Sequence, residues 1–124
     1  MALAALAAAA ATPASAFFDN DPDAYVVNYF TGGGGRVLFA AGTADQKCRP
    51  QGAPDIQVLS ASPGVRLRLS AGGFVATGVD AGYLVCIGQT LPGVIVTGSG
   101  HGTAVIKVTY PPKGEWYTHK LVLP

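Results

Sequence analysis

The sequence predicts an all-β protein, an antiparallel sandwich or barrel of about seven to nine strands. Short runs rich in β-branched and aromatic residues recur along the chain with glycine or proline between them. Several of these runs alternate apolar with polar residues, and no helical periodicity follows residue 16. At 124 residues the chain is long enough for one domain with a single core and too short for two ordinary ones.

The candidate strands can be read from these runs in chain order. In the run at 65–69, the apolar residues Val65, Leu67 and Leu69 face one way. Arg66 and Arg68 face the other. The run at 103–110 alternates in the same way. We predict strands at 25–30, 36–40, 56–60, 65–69, 74–77, 83–87, 94–97, 103–110 and 116–123.

The predicted turns contain the residues that interrupt strand pairing. Glycine supplies positive φ, and proline holds φ and lacks an amide donor. The segments are SPG at 62–64, AGG at 71–73, LPG at 91–93, GSGHG at 98–102 and PPKG at 111–114. The glycine run TGGGGRVL at 31–38 leads into a strand pattern without a following Lys-Ser/Thr pair, so we interpret it as a hairpin loop and not as a phosphate-binding loop.

The first residues have the pattern of a cleavable signal peptide. Residues 2–16, ALAALAAAAATPASA, are almost entirely small or apolar and end in a small-x-small site, which predicts cleavage after Ala16 and a domain at 17–124. The run is too short to span a bilayer. No Lys or Arg precedes it, and the alternative is a retained alanine-rich helix. We predict a periplasmic or extracellular protein with no membrane span after cleavage.

Export gives the two cysteines, Cys48 and Cys86, a predicted role. In an oxidising compartment two cysteines in one small domain are expected to form a disulfide, which stabilises a loop of this size by about 3 to 4 kcal/mol in the chain-entropy model. A redox or metal pair would require CxxC spacing or nearby histidines, and neither is present in the sequence.

The charge balance excludes partners that bind through a strong field. Eight Lys and Arg oppose seven Asp and Glu, for a net charge of +1. We therefore expect neither nucleic acid nor an anionic membrane as an electrostatic partner, and the residues predict no cofactor.

One acidic cluster precedes the first predicted strand. Asp19, Asp21 and Asp23 begin like a calcium loop, because alternate carboxylates can converge on one cation. Position six of such a loop is Ala24 and position twelve is Phe30, so the required glycine and glutamate are missing. We interpret the cluster as a solvated segment, with metal binding as the alternative.

Catalytic patterns are not evident in the sequence. His101 lies in a glycine turn and His119 alternates with Tyr117 and Leu121, so the two histidines form no ligand grouping. No serine lies in GxSxG, and the carboxylates form no acid and base pair outside the N-terminal cluster. We predict that the protein is not an enzyme.

The segment Asp80-Ala-Gly-Tyr-Leu-Val-Cys86 resembles the D-x-G-x-Y-x-C run before the second cysteine of immunoglobulin domains. Asp80, Gly82 and Cys86 match, whereas Leu84 takes the place of the corner tyrosine and no tryptophan lies between the cysteines. The resemblance implies an immunoglobulin-like β-sandwich in which Cys48 and Cys86 join the two sheets.

Two further resemblances concern longer stretches. The order of Cys48-Arg-Pro50, IQVLSASPG, Cys86-Ile-Gly88, PGVIVTG and a terminal strand pair is similar to small exported immunoglobulin-like domains of bacteria. The strand at 104–111 followed by Trp116 resembles chagasin-type cysteine-protease inhibitors, although their asparagine-proline-threonine loop has no counterpart here. The first of these resemblances specifies no activity, whereas the second implies inhibition of a protease.

We therefore predict a non-catalytic exported module that binds a protein or cell-envelope macromolecule or associates with itself. Its candidate contact residues are Tyr110, Trp116 and Tyr117, because tyrosine and tryptophan are enriched at interfaces. Edge-strand packing is the alternative role for these aromatic residues. The alternative functions are a protease inhibitor acting through end loops and a metal or small-molecule carrier.

Overall fold

The structure, a computed structural model, describes residues 25–31 and 37–124. The predicted signal peptide, the carboxylates Asp19, Asp21 and Asp23, and the glycines at 32–35 lie outside the described residues. The all-β prediction is confirmed: the described part of the chain forms eight strands in two antiparallel sheets and contains no helix.

The eight strands divide unequally between the sheets. A five-stranded sheet has the order β4-β6-β2-β1-β5, and a three-stranded sheet has the order β3-β7-β8. The strands are β1 (Tyr25–Thr31), β2 (Val37–Asp45), β3 (Asp55–Ala61), β4 (Arg66–Val75), β5 (Gly78–Ala81), β6 (Thr90–Ser99), β7 (Gly102–Tyr110) and β8 (Glu115–Leu123).

Two predicted turns are wrong, because the chain continues through them as strand. The AGG segment lies inside β4 and the LPG segment inside β6, where Gly72 pairs with Gly93 and Gly73 with Pro92. Pairing of β6 with β2 extends only from Thr97 to Val94, so Pro92 has a partner strand on one side alone. Its missing amide hydrogen is tolerated there for that reason.

The predicted strand at 83–87 is also wrong. Residues 82–89 form consecutive turns, with the Ile87 amide donating to the Leu84 carbonyl and the Gln89 amide to the Cys86 carbonyl. Apolar residues occupy both alternating positions of this segment, so their β propensity did not reflect a buried face. A short strand that was not predicted, β5, precedes the turn.

The five-stranded sheet is strongly curled. Its outermost strands β4 and β5 are separated in sequence only by Ala76 and Thr77. In a flat sheet these strands would lie about 19 Å apart, whereas three Cα steps span at most about 11 Å. The end of the β4–β6 pair that leads into β5 therefore bends over the sheet. Gly93 of β6 is close to β2 there, since a Cβ atom at this position would lie 2.0 Å from the Ala41 carbonyl oxygen.

The curl produces two separate apolar clusters. The inter-sheet cluster joins both sheets and contains Val27, Phe39, Ala41, Ile56, Val96, Ile106, Val108, Tyr110 and Leu121. The curl cluster lies on the opposite face of the five-stranded sheet and contains Ala40, Ala44, Phe74, Ala76, Cys86 and Leu91. The inter-sheet cluster holds the two layers together. The curl cluster is enclosed by the five-stranded sheet and the 82–89 turn, which contributes Cys86.

The predicted disulfide is present, but its position differs from the one that the immunoglobulin resemblance implies. Cys48 follows β2 and Cys86 lies in the 82–89 turn, with Cα atoms 5.6 Å apart. Neither cysteine lies in a strand, and both pack in the curl cluster, so the bond closes that cluster and does not join a strand of one sheet to a strand of the other.

A buried carboxylate organises the loop that carries Cys48. Asp45, 1% exposed, accepts hydrogen bonds from the Lys47 amide at 2.8 Å and from the Arg49 amide and Nε at 3.0 and 2.7 Å. Burial alone would raise the pKa of this carboxyl group, but the hydrogen bonds and the Arg49 charge outweigh it and lower the pKa. Asp45 therefore stays ionised and holds the loop in one conformation.

Candidate functional site on the outer face of the three-stranded sheet

The outer face of the three-stranded sheet, here called the Trp116 face, is open to solvent. Alternate residues of β8 point away from the core, as strand geometry requires, and Trp116 is 57% exposed. Neighbouring strands add polar side chains to the same face. Its members are Gln57, Lys107, Thr109, Trp116, Thr118, Lys120 and Val122.

The indole ring of Trp116 is oriented by a lysine on the neighbouring strand. Trp116 pairs with Thr109 and Lys107 pairs with Thr118, so the lysine is a diagonal neighbour of the ring. Lys107 Nζ lies 4.6 Å from the ring centroid, within the range of a cation–π interaction. The aromatic side chain is thus held in place while most of its surface remains accessible.

The structure does not bring the three predicted contact residues to one surface. Tyr110 is 1% exposed and Tyr117 is half-buried, and both point inward, opposite to Trp116. Their rings meet edge to face with centroids 6.1 Å apart. Trp116 alone of the three has an exposed ring, and the two tyrosines pack beneath the sheet that presents it.

Beneath the Trp116 face, three polar side chains link the two sheets; we call this group the Asp80 clasp. The Tyr110 hydroxyl donates a hydrogen bond to Asp80 Oδ2 at 2.5 Å. His119 Nε2 lies 3.0 Å from both carboxylate oxygens of Asp80. Because Asp80 lies on β5 whereas Tyr110 and His119 lie on β7 and β8, the clasp joins an edge of the five-stranded sheet to the other layer.

The surroundings of the clasp affect the ionisation of Tyr110 and the packing of His119. Burial raises the pKa of Tyr110 well above its usual range, and the hydrogen bond to the Asp80 carboxylate and its charge raise it further. The His119 ring lies between aromatic neighbours, with centroids 5.1 Å from Tyr29 and 4.7 Å from Phe39. Tyr110 therefore remains a neutral donor, and its hydrogen bond to Asp80 connects the sheet above it to β5.

Two kinds of feature are absent from the part of the chain that the structure describes. Within 25–31 and 37–124, no three His, Cys, Asp or Glu side chains come close enough together to hold a metal ion. In the same part of the chain no helix has the length and apolarity to cross a membrane. The histidine of the GSGHG turn, His101, is exposed and is hydrogen-bonded to the Pro124 carbonyl.

The Asp80 clasp was not predicted from the sequence, because its members are far apart in the chain. His119 and Asp80 are separated by 39 positions and pair only after the two sheets have packed. One signal was present: His119 shares the inward-facing side of β8 with Tyr117 and Leu121. A histidine on an inward-facing side needs a polar partner, which indicates a contact without identifying it.

Comparison of the chain with protein-family models, curated proteins and solved structures gives no match. The interpretation of the site therefore depends on its own geometry.

Proposed function

We propose that this chain is an exported, non-catalytic binding module with an immunoglobulin-like fold, and that the Trp116 face contacts a protein or cell-envelope macromolecule. The observation that carries the proposal is the 57% exposed Trp116, oriented by Lys107 on an open sheet face. Exposed tryptophan is characteristic of the residues that dominate binding energy at interfaces. The Asp80 clasp beneath the face reduces the ordering cost of binding.

Export is supported by two features that stand apart from the face. A disulfide between Cys48 and Cys86 persists in an oxidising compartment such as the periplasm or the extracellular space. The apolar residues 2–16 have the composition of a signal peptide. Intact-mass analysis of the protein from the cells that produce it tests this part: we expect a chain that begins at Phe17 and resists alkylation until it is reduced.

The contact surface is tested by site-specific photo-crosslinking in those cells. A photoreactive residue at Thr118, an exposed neighbour of Trp116 along β8, should give a discrete heavier species after irradiation. The matched control carries the photoreactive residue in place of Leu84, which is 68% exposed in the 82–89 turn. This control should not give the heavier species. A species of twice the mass of the chain would identify a second copy as the partner.

A tryptophan variant separates contact from folding. Trp116→Ser should abolish the Thr118 crosslink while changing the free energy of unfolding by less than about 1 kcal/mol, because the ring is largely exposed. If Trp116→Ser unfolds the domain, or if the crosslink persists in this variant, the Trp116 face is not the contact surface.

A further inference from the structure

The outer face of the five-stranded sheet carries two adjacent arginines near the end of the β4–β6 pair. Leu67 packs against the inter-sheet cluster, so Arg66 and Arg68 point to the opposite face of the sheet. Their partners across the ladder are Ser99 and Thr97. An open depression of about 500 Å³ lies here, which we call the basic depression. It is lined by Arg66, Leu67, Arg68, Thr97, Gly98 and Ser99.

No carboxylate of the described residues neutralises these arginines. Within 25–31 and 37–124, the carboxylates of Asp45 and Asp80 contact Arg49 and His119 respectively, and neither contact involves β4. The other described acidic residues, Asp55 and Glu115, lie on the three-stranded sheet, where they are the register partners of Thr109 and Tyr110. Residues two apart on a strand lie about 7 Å apart, so the two planar guanidinium groups can both reach one oxyanion group and bind it through paired hydrogen bonds.

An apolar depression adjoins the basic one. Thr97 in the basic depression pairs on one side with Arg68 and on the other with Val37, and Val37 lines the second depression. This second space measures about 380 Å³ and is lined by Phe30, Val37, Gly73, Phe74, Val75 and Ile95. The curl of the sheet brings β4 residues 73–75 to the same depression as Phe30 of β1 and Val37 of β2. We call the two adjoining depressions the groove, with one basic end and one apolar end.

From this continuity we propose that the groove binds a single-chain anionic amphiphile, with its oxyanion head group at Arg66 and Arg68 and its hydrocarbon chain in the apolar depression. Each depression is in the size range of small-molecule sites. The basic depression has no aromatic side chain on which a nucleic-acid base could stack. The apolar depression offers no polar side chain to the hydroxyl groups of a glycan.

This site is independent of the Trp116 face, because the two lie on different sheets. The probe is dodecanoate at concentrations below micelle formation, titrated by calorimetry into the full chain. Dodecyl maltoside has the same hydrocarbon chain with a neutral head group, and inorganic phosphate has a charge without a chain. We expect dodecanoate to bind at one site and at least about tenfold more tightly than either comparison ligand, as hydrogen bonds to a charged group imply.

Variants then separate the head group from the chain. R66Q/R68Q should weaken dodecanoate about tenfold or more and leave dodecyl maltoside unchanged. The matched control K107Q/K120Q removes the same charge from the other sheet and should change neither affinity. Val75→Ser should weaken both amphiphiles equally, because Val75 is 49% exposed and lines the apolar depression, whereas Val122→Ser on β8 should not.

Several outcomes would overturn the proposal. Equal affinity for dodecanoate and dodecyl maltoside would remove the role of the arginines, and tighter binding of an anionic polysaccharide or single-stranded DNA would assign the face to a polymer. Absence of binding would leave Arg66 and Arg68 as charges that protect the edge strand β4 from pairing with other chains.

Discussion

The inter-sheet cluster and the curl cluster are stabilised in different ways. The inter-sheet cluster is built from large side chains, among them Phe39, Ile106 and Tyr110, which interlock across two layers. Half of the curl cluster is alanine, and its cover is the 82–89 turn, which is attached through the Cys48–Cys86 bond. Both lie in the same domain, yet the first has much more apolar side chain to bury.

The difference shows how a small apolar cluster can be maintained. Hydrophobic stabilisation grows with the apolar area removed from water, at about 25 cal/mol per Å², so alanines contribute little to holding a turn in place. A covalent link restricts the unfolded chain without needing that area. We therefore expect the inter-sheet cluster to respond most to lost side-chain volume and the curl cluster to respond most to loss of the disulfide.

The largest expected effect comes from emptying the inter-sheet cluster. Phe39→Ala removes a ring that is 0% exposed and should reduce the free energy of unfolding by about 3 to 5 kcal/mol. Chemical denaturation with the disulfide intact measures the loss. The control Val122→Ala truncates an exposed side chain and should change stability by about 0.5 kcal/mol or less. A comparable loss in both variants would contradict the assignment of this cluster as the main core.

Removal of the disulfide should have a similar or slightly smaller effect on the free energy of unfolding, with an additional local effect on the 82–89 turn. The link closes a loop with a sequence separation of 38, for which the chain-entropy model gives about 3 to 4 kcal/mol. In Cys48→Ala/Cys86→Ala, hydrogen exchange should accelerate more at Gly88 and Gln89 than at the amides of β7, because the freed 82–89 turn can also open without global unfolding. Equal loss of protection in both regions would mean that the two clusters do not respond separately.

The third prediction concerns the Asp80 clasp, which adds directed hydrogen bonds to the inter-sheet cluster. Tyr110→Phe leaves the Asp80 carboxylate without one of its donors and should cost about 1.5 to 3 kcal/mol at neutral pH. The control Tyr83→Phe removes a hydroxyl in the 82–89 turn and should cost less than about 0.5 kcal/mol.

The clasp also predicts the direction of a pH dependence. Burial and Asp80 raise the pKa of folded Tyr110 above its unfolded value of about 10, so the folded state retains this proton more strongly. The resulting stabilisation is fully present below about pH 10 and is lost as the pH rises above it. Urea unfolding from neutral to alkaline pH should show a shallower loss in Tyr110→Phe than in the unchanged protein, and parallel profiles would contradict the buried hydrogen bond.

The smallest predicted effect is a gain in stability at Asn28 on β1. This residue is 0% exposed, and neither its amide nitrogen nor its amide oxygen has a hydrogen-bond partner within the described residues. A buried polar group without a partner costs free energy, so the similarly shaped Asn28→Leu should stabilise the protein by about 1 to 2 kcal/mol in thermal or chemical unfolding. A loss of stability would indicate an ordered water molecule or ligand bonded to the amide.

Much of the secondary structure could be predicted because local pattern determined it. The run at 103–110 has an apolar residue at every second position from Ala104 to Tyr110, and β7 occupies almost the same residues. The AGG and LPG segments were predicted as turns because glycine and proline usually interrupt strands. In this fold they allow a bend without interrupting the pairing between β4 and β6. Whether glycine and proline form a turn or a bent strand depends on the strands that pair with them, which the local sequence does not specify.

The candidate sites were less predictable than the strands. The exposed Trp116 follows from its alternation with Tyr117, but the inward position of Tyr110 places it in the clasp rather than on the contact face. The alternation of residues 65–69 identifies Arg66 and Arg68 as the polar face of a strand. Their position beside an apolar groove depends on the register between β4, β6 and β2, which is set by pairing across distant parts of the chain.

The sequence by itself determined the β class of the chain and the facing of its alternating strands, because backbone geometry places successive side chains on opposite sides. It also predicted the pairing of Cys48 with Cys86, since the chain contains only two cysteines. Only the tertiary structure decided that the disulfide closes the curl cluster, that Asp80 joins the two sheets, and that a basic and an apolar depression lie side by side. These features arise from contacts between residues far apart in sequence, which local propensity does not encode.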